Sequence, residues 1–185
     1  LTGITPALSE TCRDLCFEAA ALAREQGTRV SFDPNLRFKL WDADAMRETL
    51  LPLADRADVV FPGVEEGEVL LGTDDPAEIA AGFRDRGASE VVVTLGERGA
   101  YVASDDVGEV VPGRSIERVV DTVGAGDGFV AGYLSGRLDG KGPLAAARRA
   151  TACGALATTV AGDIEGLPTR EELERFGGDG DVVTR

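Results

Sequence analysis

The sequence predicts an α/β fold built on a mostly parallel sheet with helices on both faces. Two observations lead there. Short runs rich in β-branched residues alternate with amphipathic helical segments along the chain, and three of those segments close on glycine, at Gly27, Gly72 and Gly87. No internal repeat or low-complexity stretch interrupts the alternation.

The elements follow in order. Ser9 caps a helix with apolar spacing up to Gly27. "TRVSFD" (28–33) alternates as a strand that ends before Pro34, and "PNLRFKLW" is a loop. Asp42 caps a helix over about 43–55, and "ADVVFPG" is a second short, buried strand. "VEEGEVLLG" and "DPAEIAAGFRDRG" read as two short helices. "EVVVTLG" (90–96) is the most apolar strand, and "GAYVAS" and "GEVVPG" form a hairpin after it. A glycine stretch then opens a helix to about Leu138, whose apolar spacing at Phe129, Val130, Tyr133, Leu134 and Leu138 buries it against the sheet. A further helix runs from about Pro143 to Val160, and a short one follows Thr169.

The bulk numbers narrow the function. At 185 residues and 43% hydrophobic, the chain is long enough for a domain with its own core. A net charge of −14 repels nucleic acid and anionic membranes as partners. No apolar run approaches a membrane span and no signal-peptide pattern occurs, so a cytoplasmic location is the expectation. Lys39 and Lys141 are the only lysines, and so acidic a surface suits a salt-rich, halophile-like cytosol. Cys12, Cys16 and Cys153 lack the further ligands of a zinc site and read as free, partly buried thiols. The opening "LTGITPALSE" has no initiator methionine and reads as cut from something longer.

"DTVGAGDGFVAGYLSG" (121–136) carries the chemistry. A helix start leaves N–H groups unpaired and is positive by its dipole, and glycine lets a phosphate approach the backbone. "GAGD" (124–127) therefore suits an anion cradle. An aspartate there repels a phosphate unless it has a task, such as taking the proton of a hydroxyl that attacks phosphorus. The other reading is a tight turn that Asp127 merely caps, and spacing alone leaves both open. A dinucleotide fingerprint fails at Phe129, and no Walker Gly-Lys-Ser/Thr occurs.

Over its whole length "DTVGAGDGFVAGYL" resembles the D-T-x-G-A-G-D signature of the ribokinase-like (PfkB) sugar kinases. The resemblance implies that Asp127 is the catalytic base and that Gly124, Ala125 and Gly126 form the anion hole. "FDPNLRFKLW" (32–41) resembles the D-x-N-x-R-x-x-L-W segment of the 2-keto-3-deoxygluconate kinase and fructokinase branches. That implies nucleotide binding by Asn35 and Arg37, with Arg37 also serving the acceptor. "VVFPGVEEGEVLLG" (59–72) resembles a P-N-x-x-E segment, which makes Glu66 a ligand of Mg²⁺ through water; Gly63 stands where asparagine is usual. "VVVTLGERGAYVA" (91–103) resembles the nucleotide-binding strand and turn, with Thr94, Gly96 and Gly99 beside ATP. "ATACGALATTVAGDIEGLP" (150–168) is similar to the last helix and the loop closing the adenine pocket, with Asp163 facing the acceptor. Carbonyls near Asp121 and that loop are implied to hold a monovalent cation, K⁺.

The resemblance implies a ribokinase-like three-layer α/β/α fold with a mostly parallel central sheet, lacking the N-terminal part and lid. Residues 1–176 would be the C-terminal, ATP-binding portion of the kinase domain and 177–185 a flexible tail. The implied activity is ATP- and Mg²⁺-dependent phosphorylation of a small sugar or sugar acid, first 2-keto-3-deoxygluconate (or the galactonate). Fructokinase or another PfkB sugar kinase is the alternative within the class; a truncated, non-catalytic nucleotide-binding fragment is the alternative outside it. A homo-oligomer of the intact enzyme is a further expectation.

Overall fold

The computed structural model describes residues 1–177, so the expected tail lies, but for Gly177, outside the described residues. Eight helices are seen among the described residues: α1 (Thr5–Leu8), α2 (Glu10–Glu25), α3 (Ala43–Ala54), α4 (Val64–Leu71), α5 (Pro76–Asp85), α6 (Ala125–Leu138), α7 (Pro143–Ala157) and α8 (Arg170–Arg175). The strands are β1 (Ser31–Phe32), β2 (Val59–Val60), β3 (Glu90–Thr94), β4 (Gly99–Ser104) and β5 (Val107–Pro112). They form one sheet in the order β1-β2-β3-β4-β5. The expected α/β architecture holds, with β1, β2 and β3 parallel.

The caps fall where the residue types place them. Ser9 Oγ accepts from the Cys12 amide, Asp42 Oδ1 from Ala45 and Asp75 Oδ1 from both Ala77 and Glu78. Thr169 and Glu172 close a capping box on α8. The one-turn α1 was not foreseen. The strand expected over 28–33 is regular only at Ser31–Phe32, because the Asp58 carboxylate takes the Val30 amide at 2.6 Å in place of a ladder partner.

Two compact units are distinguished. The first comprises Leu1–Thr94 with Ala103–Gly108. Its core is Phe32, Met46, Leu50, Leu53, Val60, Ile79, Phe83 and Val91 to Val93, all fully buried. Ladder partners Ser31↔Val59 and Val59↔Glu90 fix the register, and single bridges extend it through Thr2↔Asp33 and Gly63↔Thr94.

The second unit comprises Leu95–Val102 with Glu109–Arg185, and its centre is the α6–α7 pair. Here one expectation is corrected. Phe129 and Tyr133 are buried as read, but Leu138 is 87% exposed, and the rest of the buried face is Gly128, Gly132 and Gly136. A Cβ at Gly132 would lie 2.8 Å from Ala150 Cα, and one at Gly136 2.9 Å from Ala146 Cα. Glycines four residues apart form one face of α6, and α7 lies directly against its backbone. After α6, Asp139 accepts from Arg149 at 2.6 Å and from Arg170 at 2.7 and 3.1 Å. Arg170 first, then Arg149, hold its carboxyl far below the usual carboxylate range. α7 ends three residues earlier than read, at Ala157, where the Thr158 and Thr159 hydroxyls donate to carbonyls three residues back.

Candidate functional site

In the first unit the segments after β1, β2 and β3 leave the same edge of the parallel sheet, where open α/β sheets receive ligands. Asn35 lies there with φ of 41°, a left-handed conformation that asparagine tolerates better than most residues. Glu66 sits in the first turn of α4 and joins the neighbouring segments: Oε2 accepts from the Gly63 amide at 3.0 Å, and Oε1 from the Leu36 amide at 3.4 Å. The Thr94 amide donates to Pro62 O at 2.8 Å. Asn35, Glu66 and Thr94 therefore lie at one edge of the sheet.

Gly63 is explained by the same contacts. A Cβ there would stand 2.3 Å from Glu66 Oε2. With no side chain to cap α4, the helix takes its cap from Glu66 folded back on its own N-terminus. Arg37 is exposed, and its Nη1 donates to Leu36 O at 3.0 Å. Sequence reasoning passed over Trp41, the only tryptophan, whose buried indole N–H has no partner among the described residues. Its place in the segment that carries Asn35 and Arg37 was the available signal.

In the second unit Gly124 caps α6 at φ 75°, and a Cβ there would meet Asp163 O at 2.1 Å and Asp163 Oδ1 at 2.8 Å. Glycine is required on both counts, and Asp163 is brought to the helix mouth. The Ala125 amide donates to Thr122 O at 3.3 Å, whereas the Gly124, Gly126 and Asp127 amides have no acceptor among the described residues. Asp127 is exposed in the first turn. Asp121 is a residue whose part was underestimated. Its Oδ1 accepts from Val123 N and its Oδ2 from Gly162 N, which ties the glycine turn to the loop after α7. These bonds, Val123 first, draw its carboxyl below the usual range. Val120 N also donates to Thr158 O, and Val119, Val120, Val123, Val160 and Ile164 are exposed on these two segments. Gly96 and Gly99 bound a single 3₁₀ turn, Gly96–Arg98, closed by Leu95 N donating to Gly99 O at 2.8 Å.

A helix mouth with unengaged amides, an exposed carboxylate and apolar surface on the adjoining segments is the chemistry of a site for a phosphate-bearing ligand. The chain belongs to the PfkB family of carbohydrate kinases: the pattern of the pfkB family carbohydrate kinase matches residues 2–170. It is 45% identical to a 2-dehydro-3-deoxygluconokinase of Bacillus subtilis (strain 168), over 95% of this chain and 55% of that protein. It is 37% identical to a fructokinase of Vibrio alginolyticus, over 91% of this chain and 57% of that protein. Among solved structures it resembles the fructokinase from Vibrio cholerae O395 in its fructose, ADP and calcium ion bound form. The TM-score is 0.86 and the identity 37%, over 95% of this chain and 59% of that one. The chain thus spans little more than half the length of these relatives. No helix among the described residues is long and apolar enough to cross a membrane.

Proposed function

We propose that this chain is the nucleotide-binding and phosphoryl-transfer portion of an ATP-dependent sugar or sugar-acid kinase. Its first substrate reading is 2-dehydro-3-deoxygluconate (or the galactonate). The observation that carries the proposal is Asp127, exposed in the first turn of α6 beside amides without acceptors among the described residues. The Asp127 carboxylate takes the proton from the acceptor's primary hydroxyl as that oxygen attacks the γ-phosphorus, and the β–γ bridging oxygen leaves with ADP. The mouth formed by Gly124, Ala125 and Gly126 stabilises charge on the transferring phosphoryl oxygens, with the Gly124 and Gly126 amides giving the larger share because Ala125 already donates to Thr122. Asp163, against Gly124, flanks the acceptor side. Arg37 supplies a planar fork for a phosphate or a substrate carboxylate. Thr94, Gly96 and Gly99 line the nucleotide, and Asn35 orients it.

Glu66 fits a magnesium site reached through water. Each carboxylate oxygen has one amide donor and keeps a second lone pair, and Mg²⁺ retains waters in all-oxygen surroundings. When bound, Mg²⁺ neutralises charge on the β- and γ-phosphates. A monovalent cation, K⁺, belongs beside the Asp121 segment in this reading. Cytoplasmic action and a homo-oligomeric intact enzyme complete it.

A second reading rests on the half-length match: a nucleotide-binding fragment without transfer. Calorimetry with ATP, alongside a coupled ADP-release assay on 2-dehydro-3-deoxygluconate, 2-dehydro-3-deoxygalactonate and fructose, separates the two. Turnover that prefers a sugar acid supports the first reading, preference for fructose moves it to fructokinase, and binding without turnover supports the fragment. Absence of ATP binding overturns both. In an active preparation Asp127→Asn lowers kcat about a thousandfold while ATP still binds; near-normal transfer would mean a different base.

A further inference from the structure

In the first unit, the end of the parallel sheet opposite Asn35, Glu66 and Thr94 holds a cleft of about 250 Å³. It lies between the segments that enter β1, β2 and β3 and is lined by Arg24, Arg29 and Arg56 together with Thr28 and Asp58. Three guanidiniums thus line one opening in a chain of net charge −14. They are held differently. Arg29 is engaged by Glu90 at 3.0 Å and by Ser89 Oγ at 3.3 Å. Arg24 Nη1 donates to Asp55 O at 3.2 Å and Arg56 Nη1 to Pro52 O, so both rest on carbonyls at the C-terminal end of α3. The Arg56 guanidinium also lies 4.9 Å from the centre of the Phe17 ring. Among the described residues neither Arg24 nor Arg56 has a carboxylate partner, because the acids around them are taken: Asp55 accepts from Arg86 at 3.1 Å and Glu90 from Arg29. Asp58 Oδ2 accepts from the Val30 amide at 2.6 Å, and its Oδ1 has no donor among the described residues.

We infer that this cleft is a binding site for a small hydroxylated anion, whose phosphate or carboxylate group is held by Arg24 and Arg56 and whose hydroxyl donates to Asp58 Oδ1. The bonds to Asp55 O and Pro52 O, and the Phe17 ring under Arg56, fix the two side chains while using one of the five N–H donors of each guanidinium. The remaining donors match the oxygens of a carboxylate or phosphate. The same two bonds cover carbonyls of the α3 C-terminus, whose negative end would otherwise repel an anion. Asp58 selects the rest of the ligand. Its carboxylate repels a bare anion and accepts from a hydroxyl, and the Thr28 hydroxyl adds a further polar group to the same wall. The site is separate from the edge that carries Asn35, Glu66 and Thr94, and the inference does not rest on the proposed reaction.

The test is an amide chemical-shift titration of the whole 185-residue chain with glycerol 3-phosphate, gluconate and, as the uncharged control, glycerol. Saturating shifts are expected at the amides of Thr28, Ala57 and Gly87 with at least one of the anions and not with glycerol. The anion that binds more tightly names the group as phosphate or carboxylate. Arg24→Gln with Arg56→Gln should weaken that binding at least about tenfold, as loss of charge-assisted hydrogen bonds does. Arg13→Gln with Arg175→Gln removes the same charge from exposed side chains elsewhere and should leave it unchanged. The shift map uses the unaltered chain and stands even if the first pair fails to fold. No saturable shift around the cleft with either anion, equal shifts with glycerol, or binding indifferent to the Arg24 and Arg56 pair overturns the inference. So does an equal loss in the control pair, which would mean attraction by overall charge. Shifts at residues 124–127 report separately on the proposed function.

Discussion

Gly132→Ala tests the packing that holds the second unit together, and the sign of its effect is decided by two opposing terms. Alanine is the better helix former by about 1 kcal/mol, so on propensity alone the variant gains stability. Against this, the new methyl would lie 2.8 Å from Ala150 Cα and 2.8 Å from Cys153 Sγ. Ordinary contact begins at 3.4 Å. The Ala150 atom is backbone, so no rotamer change relieves the overlap and α7 must move. Overpacking of this kind costs about 1–3 kcal/mol, which offsets or outweighs the propensity gain and leaves a net loss of up to about 2 kcal/mol. Gly126→Ala is the matched control, since no atom of the described residues lies within 4 Å of its Cβ position. It keeps the propensity gain in the same helix, at most about 1 kcal/mol. Urea unfolding followed by circular dichroism, with an unchanged slope, reads both. A Gly132→Ala chain stabilised as much as the Gly126→Ala chain would refute the close seating of α6 on α7.

Other outcomes follow from single contacts. Gly63→Asn gives α4 a side-chain cap of its own and displaces the Glu66 carboxylate. Glu66→Ala should therefore cost about 1 kcal/mol in the natural background and much less in the Gly63→Asn background, a coupling that a double-mutant cycle measures. Asp139 has a folded-state pKa below its unfolded one, so its stabilisation is present above the unfolded carboxylate range and is lost as pH falls through the folded value. Asp139→Asn should accordingly lower the urea midpoint at about pH 7 and narrow its deficit in strong acid. Burial pushes the Cys16 thiol up, leaving less thiolate for alkylation. Iodoacetamide followed by peptide mass spectrometry should find Cys12 labelled before Cys16.

Much of the candidate site was legible because its parts are local. "GAGD" before an apolar helix describes a helix mouth from four consecutive residues, and Gly124 with its positive φ opens α6 where the spacing put it. The caps at Ser9 and Asp42 were legible for the same reason: donor and acceptor lie within three residues. Glu66 was found by its place in a segment, but its bond to the Leu36 amide, thirty residues away, was not. Nor was the tie from Asp121 to Gly162. Both depend on which loops the fold sets side by side.

The sequence by itself determined the alternation of strand and helix, the caps, the family and the glycine-opened mouth with Asp127 in its first turn. Each of these is a property of neighbouring residues or of a pattern along the chain. Only the tertiary structure decided that glycines within α6 serve the seating of α7, that Leu138 faces solvent, that Glu66 caps α4 in the absence of a side chain at 63, and that Arg24, Arg29 and Arg56 line one cleft. Those outcomes turn on distances of a few ångströms between segments far apart in the chain, which periodicity in one segment does not encode.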